Sequence, residues 1–267
     1  MNEQSLATQG ANDWDAARYL KFAHSRTQPV RDLVARVTCS PRTVLDVGCG
    51  PGNSTAVLAA RFPAAHLTGI DSSPAMLAQA RQTHPGLAFL HVTLTPDCPE
   101  IAGNYDLVFS NACLQWIPDH ATLIPALWRH VAPGGTLAFQ IPLTDQMPIS
   151  PILDDLGRSA PWRTYLAGVH DLGTLAQDEY FDLSRGLTKD CSLWRTDYAV
   201  PVAGVAGLVD WYMGSRLRPF VAALPADLRD AFLAEVQSRF ARVYTPRADG
   251  IVLMWFPRLF AVLNKPS

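Results

Sequence analysis

The sequence predicts an α/β fold: a doubly wound, seven-stranded, mostly parallel sheet with helices on both faces and helical insertions in its second half. Three observations predict it. Short, nearly continuous apolar runs alternate with segments of helical periodicity, the signature of parallel strands covered on both faces. A glycine-rich turn, Gly48-Cys49-Gly50-Pro51-Gly52, joins the first apolar run to a helix. At 267 residues and 48% hydrophobic composition, the chain can bury a substantial core.

The elements follow in order. Residues 1–13 are polar and read as loose. Val30, Leu33, Val34 and Val37 fall at i, i+3, i+4 and i+7, the spacing of one helix face. The first strand is 43–47. A helix with Val57, Leu58 and Phe62 on one face leads to the second strand, 67–71. Ser73 suits an N-cap and Pro74 the first helical position, so 74–84 is a helix. Strands follow at 87–92, 105–109 and 135–140, with a helix over 120–131 between the last two. The sixth strand is 192–200 and the seventh 251–263. Between them Leu228, Phe232, Val236 and Phe240 mark an amphipathic helix over 227–244. The stretches 145–185 and 204–248 read as mostly helical insertions forming a lid. Two domains are expected: a core over 14–142 with N-terminal helices, and a helical lid over 143–267 completed by the last two core strands.

Composition excludes several classes of function. Lys and Arg number 22 against 24 Asp and Glu, a formal charge of −2, so no polyphosphate-tracking surface is expected and nucleic acid is not the expected substrate. The N-terminus lacks a basic stretch followed by an apolar one, and no run of about 18 apolar residues exists, so neither a signal peptide nor a membrane span is expected. The five cysteines lack CxxC spacing, which argues against disulfides and a metal site and fits a cytoplasmic protein. Monomer and homodimer both remain open.

The segment Val44-Leu45-Asp46-Val47-Gly48-Cys49-Gly50-Pro51-Gly52-Asn53 carries the chemistry. Its glycines let the chain turn tightly after a strand and let a ligand approach the backbone. A dinucleotide fingerprint needs Gly or Ala three positions after Gly50, where this chain has Asn53. Asp46 places a negative charge before the loop, which suits a cationic ligand better than a pyrophosphate. Asp71 closes the second strand, where a carboxylate can accept from both ribose hydroxyls or serve as an N-terminal acid for 74–84.

These residues resemble the S-adenosylmethionine-dependent methyltransferase superfamily, whose first motif is an acid-x-Gly-x-Gly-x-Gly loop after the first strand. The resemblance implies that Asp46 and Gly48 lie near the methionine end of the cofactor, S-adenosyl-L-methionine, with Gly50 and Asn53 completing the loop. It implies too that Asp71 holds the ribose, that Ser72 and Met76 flank the nucleoside, and that Asn111 sits beside the cofactor. Thr93 stands where relatives carry an acid for the adenine amino group.

Segments from 19 to 260 resemble the trans-aconitate methyltransferases in particular. They include Tyr19-Leu20-Lys21-Phe22, Asn111-Ala112-Cys113-Leu114-Gln115-Trp116-Ile117-Pro118-Asp119-His120, Leu217-Arg218-Pro219-Phe220, Arg247-Ala248-Asp249-Gly250 and Phe256-Pro257-Arg258-Leu259-Phe260. The chain departs from that family at Ile141-Pro142-Leu143-Thr144, where a Met-Pro-Asp-Asn sequence is usual. The resemblance implies methylation of one carboxylate of a small polycarboxylic acid to a monomethyl ester. Another small acceptor (a different acid, a phenol or an amine) and a non-catalytic cofactor-binding role are the competing readings.

An anionic acceptor agrees with the arginines. Arg258 and Arg195 fall within apolar strands, where a guanidinium is costly unless it meets a carboxylate, from a substrate or from the protein itself, or faces a wet cleft. Arg26, Arg218 and Arg247 are further candidates for the substrate, each of which can also be a surface charge. Trp116, Trp162 and Trp211 can wall a pocket or fill a core. No general base is named, because a carboxylic acid is already ionised at pH 7, and His120 reads as a capping or packing residue.

Overall fold

The computed structural model describes residues 23–169 and 173–267. The N-terminal segment 1–13, expected to be loose, and the Tyr19-Leu20-Lys21-Phe22 motif lie outside the described residues. The sheet is built from β1 (Thr43–Val47), β2 (His66–Asp71), β3 (Ala88–His91), β4 (Tyr105–Asn111), β5 (Val131–Pro142), β6 (Cys191–Ala203) and β7 (Ile251–Asn264). Its spatial order is β3-β2-β1-β4-β5-β7-β6. The first five strands pair in parallel, and β7 lies antiparallel to β5. The seven-stranded, mostly parallel sheet is thus present. The strand order reverses at β1, with β2 and β3 on one side and β4 and β5 on the other. In open α/β sheets that reversal leaves a crevice at the carboxyl ends of the strands.

Local sequence explains the helices that follow the first strands. Gly52, with φ of 90°, starts helix α2 (Asn53–Arg61), which follows α1 (Ala23–Val34) in the chain. Ser73 caps α3 (Pro74–Thr83) by accepting from the Met76 amide at 3.2 Å, with Pro74 in the first turn. Asp119 caps α4 (His120–Arg129) by accepting from the Thr122 amide at 3.2 Å. Asp106 ties the starts of β1 and β4. Its Oδ2 accepts from the Arg42 and Thr43 amides at 2.7 and 3.0 Å, while its own amide donates to Thr43 Oγ1 at 3.1 Å. Val44, Leu58, Leu107, Val108, Phe109, Leu137 and Phe139 are fully buried, consistent with strands covered on both faces.

Two compact units emerge. One comprises the described residues 23–142, 173–196 and 258–267, and contains the parallel strands. The other comprises the described residues 143–169 and 197–257. It packs α5 (Ile149–Arg158), α6 (Arg163–Leu166), α8 (Gly204–Met213), α9 (Arg218–Ala222) and α10 (Arg229–Val243) around its own apolar cluster. Helix α7 (Gln177–Leu187) belongs to the first unit. Trp162 and Trp211 fill the second unit's core instead of walling a pocket. Trp162 meets Phe232 edge-on at 5.2 Å and donates through Nε1 to Glu235 at 2.7 Å. Trp211 lies edge-on to Phe256 at 5.8 Å.

Candidate functional site

The glycine turn sits at the carboxyl end of β1, beside the point where the strand order reverses. Gly48, Gly50 and Gly52 all have positive φ, at 72, 54 and 90°. At Gly48 the requirement is double, because a Cβ there would also fall 2.1 Å from Cys113 Sγ. At Gly50 a Cβ would meet nothing within 4 Å, so this stretch of backbone stands open to a neighbour. The loop is pinned from the next strand. The Gly50 amide donates to Asp71 Oδ2 at 2.9 Å, and Asp71 Oδ1 accepts from the Ser73 amide at 2.9 Å.

Asp46 lies behind the loop and is fully buried. Its Oδ2 accepts from Ser54 Oγ at 2.7 Å and Thr55 Oγ1 at 2.6 Å, fastening the first turn of α2 to β1. Among the described residues its Oδ1 accepts no hydrogen bond. Burial pushes its pKa up to about 6, against the two hydroxyl hydrogen bonds that lower it and with a further rise from the Asp71 charge. A cation brought beside the unanswered oxygen of such a buried carboxylate would favour its charged form.

The same edge of the sheet continues through the carboxyl ends of β4 and β5 to the stretch of antiparallel β7 that faces them. Asn111 ends β4 and is in register with Gln140 on β5, and Phe260 on β7 is in register with Gln140 in turn. Residues opposite one another in a ladder share a face, as do i and i+2 on one strand, so Asn111, Gln140 and Arg258 lie on one face. Arg258 is only 3% exposed and donates through Nη1 to Gln140 Oε1 at 2.7 Å. Ala112, held at φ of 53°, turns the chain after Asn111. Its amide donates to Gln140 O at 2.9 Å and its carbonyl accepts from Gln115 Nε2 at 2.7 Å.

The remaining predicted residues separate. Asn53 opens α2 at the loop, and Met76 is buried in α3. Ser72 is exposed, with its carbonyl against His91 Nε2 at 3.0 Å, and Thr93 is exposed past β3. Trp116 is half-buried in a short 3-10 turn, Leu114–Trp116. Arg26 is buried on α1, in the unit that holds the glycine loop. Arg195 lies on β6, the edge strand of the sheet, with its side chain exposed and not enclosed among apolar neighbours. Its neighbour Trp194 faces inward, stacked on Phe260 at 4.9 Å with Arg36 over its ring at 4.3 Å. Arg218 and Arg247 belong to the second unit, Arg218 half-buried and Arg247 exposed in the turn before β7.

His120 is a structural residue. Its Nε2 donates to the Leu114 carbonyl at 2.9 Å, which leaves Nδ1 to accept from the Tyr180 hydroxyl. Burial lowers its pKa. Cys49 and Cys113 flank the loop as inert thiols, pushed up by burial and by the charges of Asp46 and Asp71. Sequence reasoning passed over Ser54, Thr55, Gln115, Gln140 and the buried Arg216. For Gln140 a signal existed: an amide within the apolar run Leu137-Ala138-Phe139-Gln140-Ile141 needs a partner.

A glycine cradle backed by a buried acid, with a second acid closing the next strand, places the chain among the doubly wound methyltransferases. A family model described as a methyltransferase domain matches residues 44–135. The chain belongs to the trans-aconitate 2-methyltransferase family. It is 44% identical over 261 residues to the protein of that name from Methylobacterium nodulans, covering 95% of this chain and 98% of the relative. The namesake from Azoarcus sp. is 43% identical over 251 residues, covering 93% and 98%. Solved structures share the fold at lower identity. The YcgJ protein of Bacillus subtilis has a TM-score of 0.56 at 13% identity, covering 90% of this chain and 99% of that one. Haemonchus contortus phosphoethanolamine N-methyltransferase 2, in complex with S-adenosyl-L-methionine, has a TM-score of 0.54 at 18% identity, covering 90% and 53%. The residues present fit that cofactor, a cationic nucleoside: Asp46 offers an unanswered buried oxygen and Gly50 an unobstructed backbone.

Proposed function

We propose that the chain transfers a methyl group from S-adenosylmethionine to one carboxylate of trans-aconitate, giving a monomethyl ester. The observation that carries this reading is Arg258, a buried guanidinium fixed by Gln140 on the sheet edge that also holds the glycine loop and Asn111. The shared name of the relatives supplies the acceptor. Bound at the loop, the cofactor supplies a methyl group activated by a sulfonium. Asp46 and the glycine backbone hold its methionine end, Asp71 its ribose, Ser72 and Met76 its nucleoside, and Asn111 the side toward the acceptor. Arg258 grips a carboxylate that does not react, because a guanidinium on the attacking oxygen would blunt its nucleophilicity. No base is required, since the attacking carboxylate is already ionised at neutral pH. Alignment and exclusion of water then lower the barrier, and orientation of bound reactants alone can supply about 7–11 kcal/mol.

The net charge of −2 fits a small anion met by local arginines and does not fit nucleic acid. Among the described residues no helix is long and apolar enough to cross a membrane. All five cysteines are free thiols, which suits the reducing cytoplasm we assign. The test is labelled methyl transfer from S-adenosylmethionine to a panel of di- and tricarboxylates, with the product checked for lability in base. A base-labile product from trans-aconitate supports the reading. Transfer to phenols or amines alone, or none at all, overturns it.

A further inference from the structure

We propose that Gln140 positions the acceptor, its Oε1 locking Arg258 while its Nε2 donates to the acceptor carboxylate; this rests on the carboxyl-methylation reading. The orientation of the amide is fixed by chemistry. A guanidinium can only donate, so the oxygen bonded to Arg258 Nη1 at 2.7 Å is Oε1, and the NH2 group must point elsewhere. Gln140 is fully buried, yet Nε2 has no hydrogen-bond partner among the described residues. Asn111, in register with it on β4, likewise leaves Oδ1 without one.

Buried amides are almost always satisfied, and these two have complementary unmet needs that they do not meet in each other. Asn111 closes β4, beside the strand that leads into the acidic glycine loop, where the cationic cofactor is read to bind. Gln140 stands on β5, beside the strand that carries Arg258, where an anion is read to bind. Strands are about 4.8 Å apart, so Gln140 stands one strand from Asn111 and one strand from Arg258. That is the junction at which a carboxylate oxygen must meet the methyl group. A neutral amide is the suitable donor there. It holds the non-attacking oxygen of the reacting carboxylate in line while withdrawing less charge than a second guanidinium would.

Gln140→Glu keeps an acceptor for Arg258 and replaces the donor with negative charge; Gln140→Met removes both at similar volume. In the folded variants KM for trans-aconitate should rise about tenfold or more, the size of a lost hydrogen bond to a charged group. The Kd of S-adenosylmethionine by calorimetry should stay within about twofold of wild type. Unchanged KM in a folded variant overturns the inference. So does a parallel loss of acceptor binding, cofactor binding and thermal midpoint, which would mark a purely structural role. Should neither variant fold, a crystal structure of the wild-type protein with trans-aconitate and the demethylated cofactor decides. A carboxylate oxygen within hydrogen-bond distance of Nε2 supports the proposal, and one elsewhere overturns it. Wild-type protein that methylates no carboxylate in the panel overturns the parent reading as well, whereas active wild type with an indifferent Gln140 overturns this inference alone.

Discussion

On the proposed reading, Asp46 makes cofactor binding at the glycine loop depend on pH. Its folded pKa of about 6 lies above the ordinary 3.8, so the folded chain favours the protonated acid. The stability this contributes is complete below about pH 4 and is lost as pH rises through about 6, by roughly 3 kcal/mol at 1.36 kcal/mol per pKa unit. A cation placed at the unanswered Oδ1 reverses the preference. Binding of S-adenosylmethionine should therefore release a proton below pH 6, and its Kd should rise as pH falls from about 6 to 5 while staying flat above 7. Asp46→Asn should bind the cofactor more weakly and lose that dependence. Calorimetry across the range checks both, and an unaltered profile in Asp46→Asn would remove Asp46 from the cofactor's contacts. At Arg258 the expectation is a split between ligands. Arg258→Ala should raise KM for the acid steeply with cofactor affinity intact, and should lower the thermal midpoint by a few degrees. It strands the buried Gln140 carbonyl, a loss of about 1–3 kcal/mol. Arg258→Lys should recover little, since an ammonium lacks the planar fork.

Among elements, the glycine loop and the clamp at Asp106 show how backbone geometry is enforced. Gly48→Ala is blocked by strain at φ of 72° and by collision with Cys113, so it should yield little folded protein. Adding Cys113→Ala should not rescue it, because Cys113 Cβ itself lies 2.2 Å from the new methyl, whereas Cys113→Gly should rescue partly. Gly50→Ala meets only the cost of positive φ, about 1–2 kcal/mol, and should fold yet bind cofactor poorly. Soluble yield, thermal midpoint and calorimetry separate these outcomes. At Asp106, burial raises the pKa but the amides of Arg42 and Thr43 outweigh it and hold the carboxyl below its ordinary range. That stability is present at neutral pH and is lost as pH falls through the lowered value. Asp106→Ala should therefore lower the melting temperature at pH 7 more than at pH 3. The parallel strands were legible because each is a short apolar run between turn residues, and Ser73-Pro74 announced α3. Strand ends were not legible: the fifth strand, expected over 135–140, runs Val131–Pro142. Nor was the exposure of Arg195, because the alternation that turns it outward belongs to an edge strand, and edge status is a property of the assembled sheet.

For the whole molecule, the readable part was the order of strands and turns, and the unreadable part was which polar side chains meet across them. Gln140 and Arg258 are 118 positions apart in sequence yet 2.7 Å apart in the fold, and nothing local to either segment records the other. Composition speaks at this scale to what drives the reaction. With a net charge of −2 the chain has no long-range attraction for a polycarboxylate, so capture depends on local pairing. Nor does His120 serve as a base at the carboxyl edge: it is spent between the Leu114 carbonyl and Tyr180, with its pKa lowered by burial. A carboxylate acceptor ionised near pH 4 makes both facts tolerable. For saturating cofactor, kcat/KM for trans-aconitate should be flat from about pH 7 to 9 and fall only where the acceptor or Asp46 takes up protons. His120→Gln should destabilise the protein without changing that profile. A rate climbing through a side-chain pKa above 7 would require a base, and with it a phenol or amine in place of the acid.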